Sequence, residues 1–194
     1  VIDLEHSAIS ISRAAQLIQI IDLAGIIPLV RLPSCDPSLA KRLLDCGAKG
    51  LITPMVNTPD DAVNAHRSLI YQPQGFRGVG LFRAQDYGKA KSFDAYFKES
   101  SVNGFINIIQ IEHVKGVDNI EQILDLGFAD AVFIGPFDLS CSIGLPGDFT
   151  APEYKRLILK IRESCQAHGV GIGIHLVEPD LEQLKMLIEE GFDF

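Results

Sequence analysis

Apolar residues along this chain switch repeatedly between two spacings. They recur at helical intervals from Ser10 to Ala24, stop at Gly25, and then close up into the run IIPLVRL, which reads as a short strand ending at Arg31. The alternation then repeats. Asp36-Pro37 supplies a cap and a first-turn proline for a helix to Cys46, Gly47 closes it, and the strand GLITP follows at once. Thr58-Pro59-Asp60-Asp61 caps a helix reaching Ile70, and a further helix around Ser92 to Ser101 leads into the next strand. The stretch Ile106 to Leu145 reads as strand, helix, strand and loop. An apolar run ends in Gln110, Ile111 and Glu112, an amphipathic segment follows Gly116, and AVFIG runs into the loop PFDLS. Ala151 to His168 is the next helix, VGIGIHL a strand, Pro179 to Glu190 a helix, and Gly191 to Phe194 the opening of one more strand. At the other end, VIDLEH passes from apolar residues straight into charge, so Val1 to Leu4 reads as the end of a strand.

Strands that alternate with helices build a parallel sheet, either open and doubly wound or closed into a barrel. Three features favour the barrel. The strands recur at intervals of about 20 to 30 residues, as strand-helix units do. None of them opens a helix with a dinucleotide fingerprint. Polar residues also recur where strands end, at His6, Arg31, Glu112, Asp138 and His175. The expected fold is therefore an α/β (β/α)8 TIM barrel in a single partial domain over residues 1–194, lacking its first and last strand-helix units.

The strand ends carry the candidate chemistry. Glu112 and Asp138 close two consecutive strands, and parallel neighbours about 4.8 Å apart bring such ends to one edge of the sheet. Two carboxylates there can share a hard divalent cation, leaving its other positions to water and substrate oxygens. Acidic residues are also common in loops after strands simply because they are soluble. Gln110 and Glu112 argue against that plainer account, because alternate strand residues share a face and both polar groups stand on the same side of an apolar strand. His6, with Asp3 and Glu5 beside it, suits proton transfer near neutral pH, although a lone histidine after a strand is more often a surface group. Arg31 is either an ordinary ion-pair partner or, next to a bound oxyanion, a stabiliser of developing charge, a role worth about 3 to 4 kcal/mol. The loop QPQGFRGVG is glycine-rich but matches no phosphate-binding pattern. His66, His113 and His168 have no partners in the sequence pattern, whereas His175 stays a candidate.

Composition narrows the class of partner. Hydrophobic residues make up 47% of the 194 residues against 22% charged, enough for one large core. The 17 Lys and Arg against 25 Asp and Glu give a formal charge of -8, which disfavours nucleic acid or an anionic membrane as partner. Cys35, Cys46, Cys141 and Cys165 show neither CxxC nor zinc-site spacing, so reduced thiols in a cytoplasm are expected. Apolar runs are broken well short of membrane-spanning length.

Six segments, IDLEH, PLVRLPSCDP, LLDCGAKGLITPMVNTPDDA, FRGVGLFRAQDYG, IIQIEHVKGVDNIEQIL and VFIGPFDLSCSIG, together resemble the HpcH/HpaI family of metal-dependent class II pyruvate aldolases. The resemblance covers nearly the whole chain, and QIE with FIGPxDLS are its specific motifs. It implies a (β/α)8 barrel, a homohexamer built as a trimer of dimers, and reversible cleavage of 4-hydroxy-2-oxo acids through a metal-bound enolate to pyruvate, or a similar 2-oxo acid, and an aldehyde. It further implies Glu112 and Asp138 as ligands of Mg²⁺, Mn²⁺ or Co²⁺, Gln110 as a keto-acid ligand, and the amides of Phe137 and Asp138 as holders of its carboxylate. His6 becomes the acid/base, acting with Asp3 or through water, and Arg31 the transition-state stabiliser. Asp45, an ordinary helix-end residue on spacing alone, becomes a residue that raises the histidine's basicity across a subunit contact. Two departures stand out: Phe137 where alanine is common, and His113-Val114 where Thr-Arg is usual. A phosphoenolpyruvate mutase-like or acyl-CoA lyase-like enzyme, needing a phosphate or CoA contact at Arg77 or Arg83, and a catalytically silent barrel subunit are the competing readings.

Overall fold

The computed structural model describes residues 1–89, 92, 94–98, 104–176 and 180–194. Its six strands are all parallel and follow the order of the chain: β1 (Ile2–Asp3), β2 (Leu29–Arg31), β3 (Gly50–Thr53), β4 (Ile106–Ile111), β5 (Ala131–Ile134) and β6 (Gly171–Ile174). The molecule divides into two compact units. One comprises Val1–Pro54 with Val63–Asn107, the other Met55–Ala62 with Ile108–Phe194.

In the first unit the register sets Ile2 against Val30 and Asp3 against Arg31, then Val30 against Leu51. The Ile106 amide donates to the Lys49 carbonyl at 2.9 Å, which adds the first residue of β4 to this ladder. Helix α1 (Ile11–Leu23) starts at Ser10, whose side chain accepts from the Arg13 amide, and turns Ala14 and Ile18 inward. Helix α2 (Pro37–Asp45) has the cap and proline that its sequence announces, with Asp36 accepting from the Ser38 amide at 2.8 Å. Ile2, Ile18, Val30, Leu32, Leu43, Leu44 and Leu51 close the core between them. Each such aliphatic side chain contributes about 1.5 to 3 kcal/mol on burial. Helix α3 (Pro59–Leu69) begins with a reciprocal cap in which Asp61 accepts from the Thr58 amide at 2.9 Å and Thr58 Oγ1 accepts from the Asp61 amide at 3.2 Å. A kinked 3-10 segment covers Arg83–Gly88, and residues 94–98 form the short helix α4; the rest of the helix expected to Ser101 lies outside the described residues.

In the second unit β4, β5 and β6 pair with Gln110 opposite Phe133, Ile111 opposite Ile134, and Val132 opposite Ile172. Ile109, Ile111, Val117, Ile120, Val132, Ile134, Leu139 and Ile161 are buried around them. Three local expectations change here. The amphipathic segment after β4 is two short helices, α5 (Val114–Asp118) and α6 (Ile120–Leu124), which meet at Asn119. Its side-chain amide is drawn instead to the Asn57 carbonyl at 2.8 Å. PFDLS is helix α7 (Pro136–Ser142) rather than a loop, because Pro136 sits where a proline starts a helix without losing a hydrogen bond. The segment opening at Gly191 is not a regular strand, although the Asp193 amide donates to the Ile172 carbonyl at 2.7 Å, the Ile172 amide donates to Asp193 Oδ2 at 2.9 Å and the Ile174 amide donates to the Phe194 carbonyl at 3.1 Å. Helix α8 (Pro152–His168) ends at Gly169 in the left-handed conformation, and α9 (Leu181–Glu189) is capped by Asp180; the expected start at Pro179 lies outside the described residues.

Candidate active site

The polar end of β4 is built into apolar surroundings. Gln110 and Glu112 are 2% and 3% exposed, and the alternation of the strand turns both to one face. Gln110 Nε2 donates to Glu112 Oε2, and the amide of Met55 donates to Glu112 Oε1 at 2.8 Å. The Val56 amide adds a hydrogen bond of 3.2 Å to the Gln110 carbonyl, so residues 55 and 56 clamp the end of the strand. Gln110 Oε1 is buried without a hydrogen-bond partner among the described residues. An orphaned carbonyl oxygen is costly in a packed interior and marks a place where a ligand can repay the loss.

The following strand supplies the other side of this cradle. Gly135 leaves β5 directly beside Glu112, and a Cβ there would lie 2.6 Å from Glu112 Oε2 and 3.2 Å from Gln110 Nε2. Asp138 is exposed in the first turn of α7, next to the end of the strand that pairs with β4. The first helical bond of α7 runs from Leu139 to the Gly135 carbonyl, so the amides of Phe137 and Asp138 precede it and the helix itself leaves them as donors. Among the described residues no group of three or more His, Cys, Asp or Glu gathers, and the oxygen donors that could serve a cation at these two strand ends are the Glu112 and Asp138 carboxylates and the Gln110 amide oxygen. Hard oxygen donors of this kind suit a divalent cation that keeps several positions for water and substrate. Phe137 is half exposed and packs edge-on against Phe149 at 5.2 Å, which leans on Tyr154 at 5.4 Å. His175 lies at the exit of β6 with its ring stacked on Phe133 at 6.4 Å.

The charged ends of β1 and β2 belong to the first unit. Parallel register places Asp3 beside Arg31, and the guanidinium grips the carboxylate with both arms, Nε to Oδ1 at 2.9 Å and Nη2 to Oδ2 at 2.5 Å. Asp3 Oδ1 also accepts from the amides of Glu5 and His6 at 2.9 and 3.3 Å, which folds the chain back over it. Burial favours the neutral acid, but the Arg31 and amide hydrogen bonds outweigh it and lower the Asp3 pKa from 3.8 to about 2. The His6 ring is mostly exposed, and its nearest carboxylate is Glu5 at 3.7 Å rather than Asp3. Arg31 also reaches Glu5 at 3.6 Å.

Within the chain Asp45 Oδ1 accepts from Arg77 Nη2 at 2.8 Å. Arg77 is 1% exposed and its guanidinium lies over the rings of Tyr71 and Phe105 at 4.4 and 4.8 Å. The glycine-rich loop therefore serves to carry this arginine inward, and Arg77 has no accessible face for a phosphate or CoA. Arg83 pairs with Asp22 at 2.6 Å. Sequence reasoning missed Met55, Gly135 and the Arg77 ion pair. A glycine at the end of β5 was a visible signal. Nothing in the residue type of Met55 announces that its backbone serves the site.

Six parallel strands in chain order define an α/β protein, with buried polar groups at the end of β4 and Asp138 in the helix that follows β5. The chain belongs to the HpcH/HpaI aldolase/citrate lyase family, whose pattern matches residues 1–194. It is 36% identical over 195 residues to the hydroxypyruvate/pyruvate aldolase of Chromohalobacter salexigens, spanning 100% of this chain and 74% of that protein. Identity is also 36% over 175 residues to the 5-keto-4-deoxy-D-glucarate aldolase of Citrobacter koseri, covering 90% of this chain and 66% of the relative. The crystal structure of an HpcH/HpaI aldolase/citrate lyase family protein from Burkholderia cenocepacia matches 98% of this chain and 75% of its own, with TM-score 0.90 and 32% identity. Between 66% and 75% of the length of these proteins is thus represented here.

Proposed function

We propose that the protein is a divalent-metal-dependent lyase that reversibly cleaves 4-hydroxy-2-oxo acids into pyruvate, or a pyruvate-like 2-oxo acid, and an aldehyde. Family membership and the aldolase names of the relatives support the carbon-carbon lyase class. The observation that carries the reading is the cradle at the end of β4, where Glu112 and Gln110 are buried side by side and Gln110 Oε1 has no hydrogen-bond partner among the described residues.

In this reading Glu112 and Asp138 hold Mg²⁺, Mn²⁺ or Co²⁺, which when bound polarises the keto group of the substrate as a Lewis acid. Gln110 orients the keto acid, and the amides of Phe137 and Asp138 hold its carboxylate. His6 takes up and returns the proton at its ring nitrogen, which Glu5 faces at 3.7 Å. Arg31 stabilises the negative charge that develops beside the keto group, and Asp3 fixes the plane of its guanidinium through the two-armed pair. Asp45 acts on a histidine across a subunit contact, in a homohexamer arranged as a trimer of dimers. We read the six strands as consecutive strands of a (β/α)8 barrel forming one domain over residues 1–194. The four free cysteines support a cytoplasmic setting, and among the described residues no helix is long and apolar enough to cross a membrane.

The test is exchange of the pyruvate α-protons into D₂O with added Mg²⁺, Mn²⁺ or Co²⁺, in the parent and in Glu112→Ala and His6→Ala. The expected result is metal-dependent exchange in the parent and at least about a hundredfold loss in each variant. Absence of metal-dependent exchange in the parent removes the lyase reading, while exchange that survives Glu112→Ala removes the metal assignment.

A further inference from the structure

Glu112 is held by two features of the backbone. Met55 has φ 55°, in the left-handed region that side-chain-bearing residues rarely enter. It is a methionine, not the glycine or asparagine that ordinarily occupies such a position. The residue is 48% exposed, so close packing around it does not account for the conformation. What the conformation does is aim the amide at Glu112 Oε1, 2.8 Å away, while the next amide, Val56, reaches the Gln110 carbonyl at 3.2 Å. From the other side Gly135 removes the atom that would collide with the carboxylate, since a Cβ there would stand 2.6 Å from Oε2 and 2.9 Å from the Glu112 Cβ. An uncommon conformation kept beside a buried carboxylate points to a positioning role, because surrounding structure maintains strain of this kind where a site needs it.

We propose that Met55 and Gly135 are positioning residues that set the Glu112 carboxylate for a divalent cation, Met55 by its left-handed amide and Gly135 by its missing side chain. The inference rests on the reading of Glu112 as a cation ligand. A carboxylate on a three-torsion side chain can swing through several rotamers. The Met55 hydrogen bond selects one of them, Gln110 Nε2 steadies the second oxygen, and Gly135 keeps the volume in front of it clear. Outer groups that orient ligands in this way typically change metal affinity about 10- to 100-fold when removed.

Calorimetric titration of the chain with Mn²⁺ alone, without substrate, provides the test, alongside urea unfolding of each variant. Met55→Gly keeps the N–H and adopts the left-handed conformation freely, so its Mn²⁺ affinity stays within about twofold of the parent. Met55→Val, whose β-branch opposes that conformation, binds about tenfold or more weakly. If the side chain mattered instead, the order would reverse, because glycine removes all of it and valine only part. Parent-like affinity in Met55→Val, or a larger loss in Met55→Gly than in Met55→Val, overturns the inference. Should Met55→Val fail to fold, Gly135→Ala decides: an affinity loss of about tenfold in folded protein supports the inference and unchanged affinity overturns it. Glu112→Gln separates the two levels. Parent protein that binds no Mn²⁺, or binding that survives Glu112→Gln, overturns the cation-ligand reading and this inference with it. Binding lost in Glu112→Gln but intact in Met55→Val and Gly135→Ala overturns the inference alone.

Discussion

Replacing Asp45 by alanine removes the counter-charge of a buried guanidinium. Arg77 is 1% exposed and donates to Asp45 Oδ1 at 2.8 Å, while Nε and Nη1, the other two guanidinium nitrogens, have no hydrogen-bond acceptor among the described residues. The rings of Tyr71 and Phe105 at 4.4 and 4.8 Å attract the cation, at about 0.5 to 2 kcal/mol each, but neither supplies a second full charge. Breaking a buried pair from one side typically costs about 3 to 5 kcal/mol, because the remaining ion stays desolvated. The Asp45 side chain keeps 17% of its exposure, so water enters the vacated place and the expected cost is near the lower end, about 3 kcal/mol. That is a large fraction of an ordinary domain's stability of about 5 to 15 kcal/mol. Asp45→Asn retains an acceptor and loses less. Equilibrium unfolding in urea, followed by circular dichroism, measures both variants, and a cycle with Arg77→Met isolates the pair. The double variant regains most of the loss, since it removes the buried ion as well as its partner. Destabilisation by Asp45→Ala of under about 1 kcal/mol, or losses in the cycle that simply add, would refute the reasoning. The result also bears on catalysis: activity missing from Asp45→Ala counts toward a role for the carboxylate only in samples that remain folded.

Two pH dependences follow from the other charged groups. The Asp3 pKa is lowered from 3.8 to about 2, so its contribution to stability is complete above pH 3.8 and fades as the pH falls toward 2. The gap sets a ceiling of about 2.5 kcal/mol, which solvent screening at this partly exposed site reduces to about 1 kcal/mol; acid unfolding of Asp3→Asn shows a flatter profile, and an unchanged profile would count against the pair. His168 has the opposite sign. Its Nδ1 faces the Ser164 carbonyl at 2.8 Å and its Nε2 faces Asp125 at 3.1 Å, two acceptors that the doubly protonated ring satisfies together. These hydrogen bonds raise its pKa above the ordinary 6.5, so the stabilisation is full below that value and is lost as the pH rises through the raised pKa. NMR titration of the ring reads the upward shift directly, and an ordinary pKa with no difference between parent and His168→Gln unfolding above and below neutrality contradicts it.

Much of the fold was legible because its signals are local. Asp36 and Thr58 cap helices where their side chains meet the first free amides, and the apolar runs at 50–53, 106–111 and 131–134 become the buried strands. The pairing of Gln110 with Glu112 on one face was legible for the same reason, since alternation along a strand fixes direction without knowledge of neighbours. PFDLS was misread because a proline after a glycine signals both a loop and a first helical turn, and only the backbone chooses.

The sequence by itself determined the period and order of the strands, the caps, and which polar groups stand at strand ends. Tertiary structure alone decided the partners of those groups. Parallel register brings Arg31 to Asp3, and their two-armed ion pair links residues 28 positions apart in the chain. Asp45 meets Arg77 across 32 positions of chain, Met55 meets Glu112 across 57, and neither pairing leaves a trace in residue spacing. Such contacts depend on where the chain returns in space and, at Met55, on a backbone torsion that the residue type disfavours.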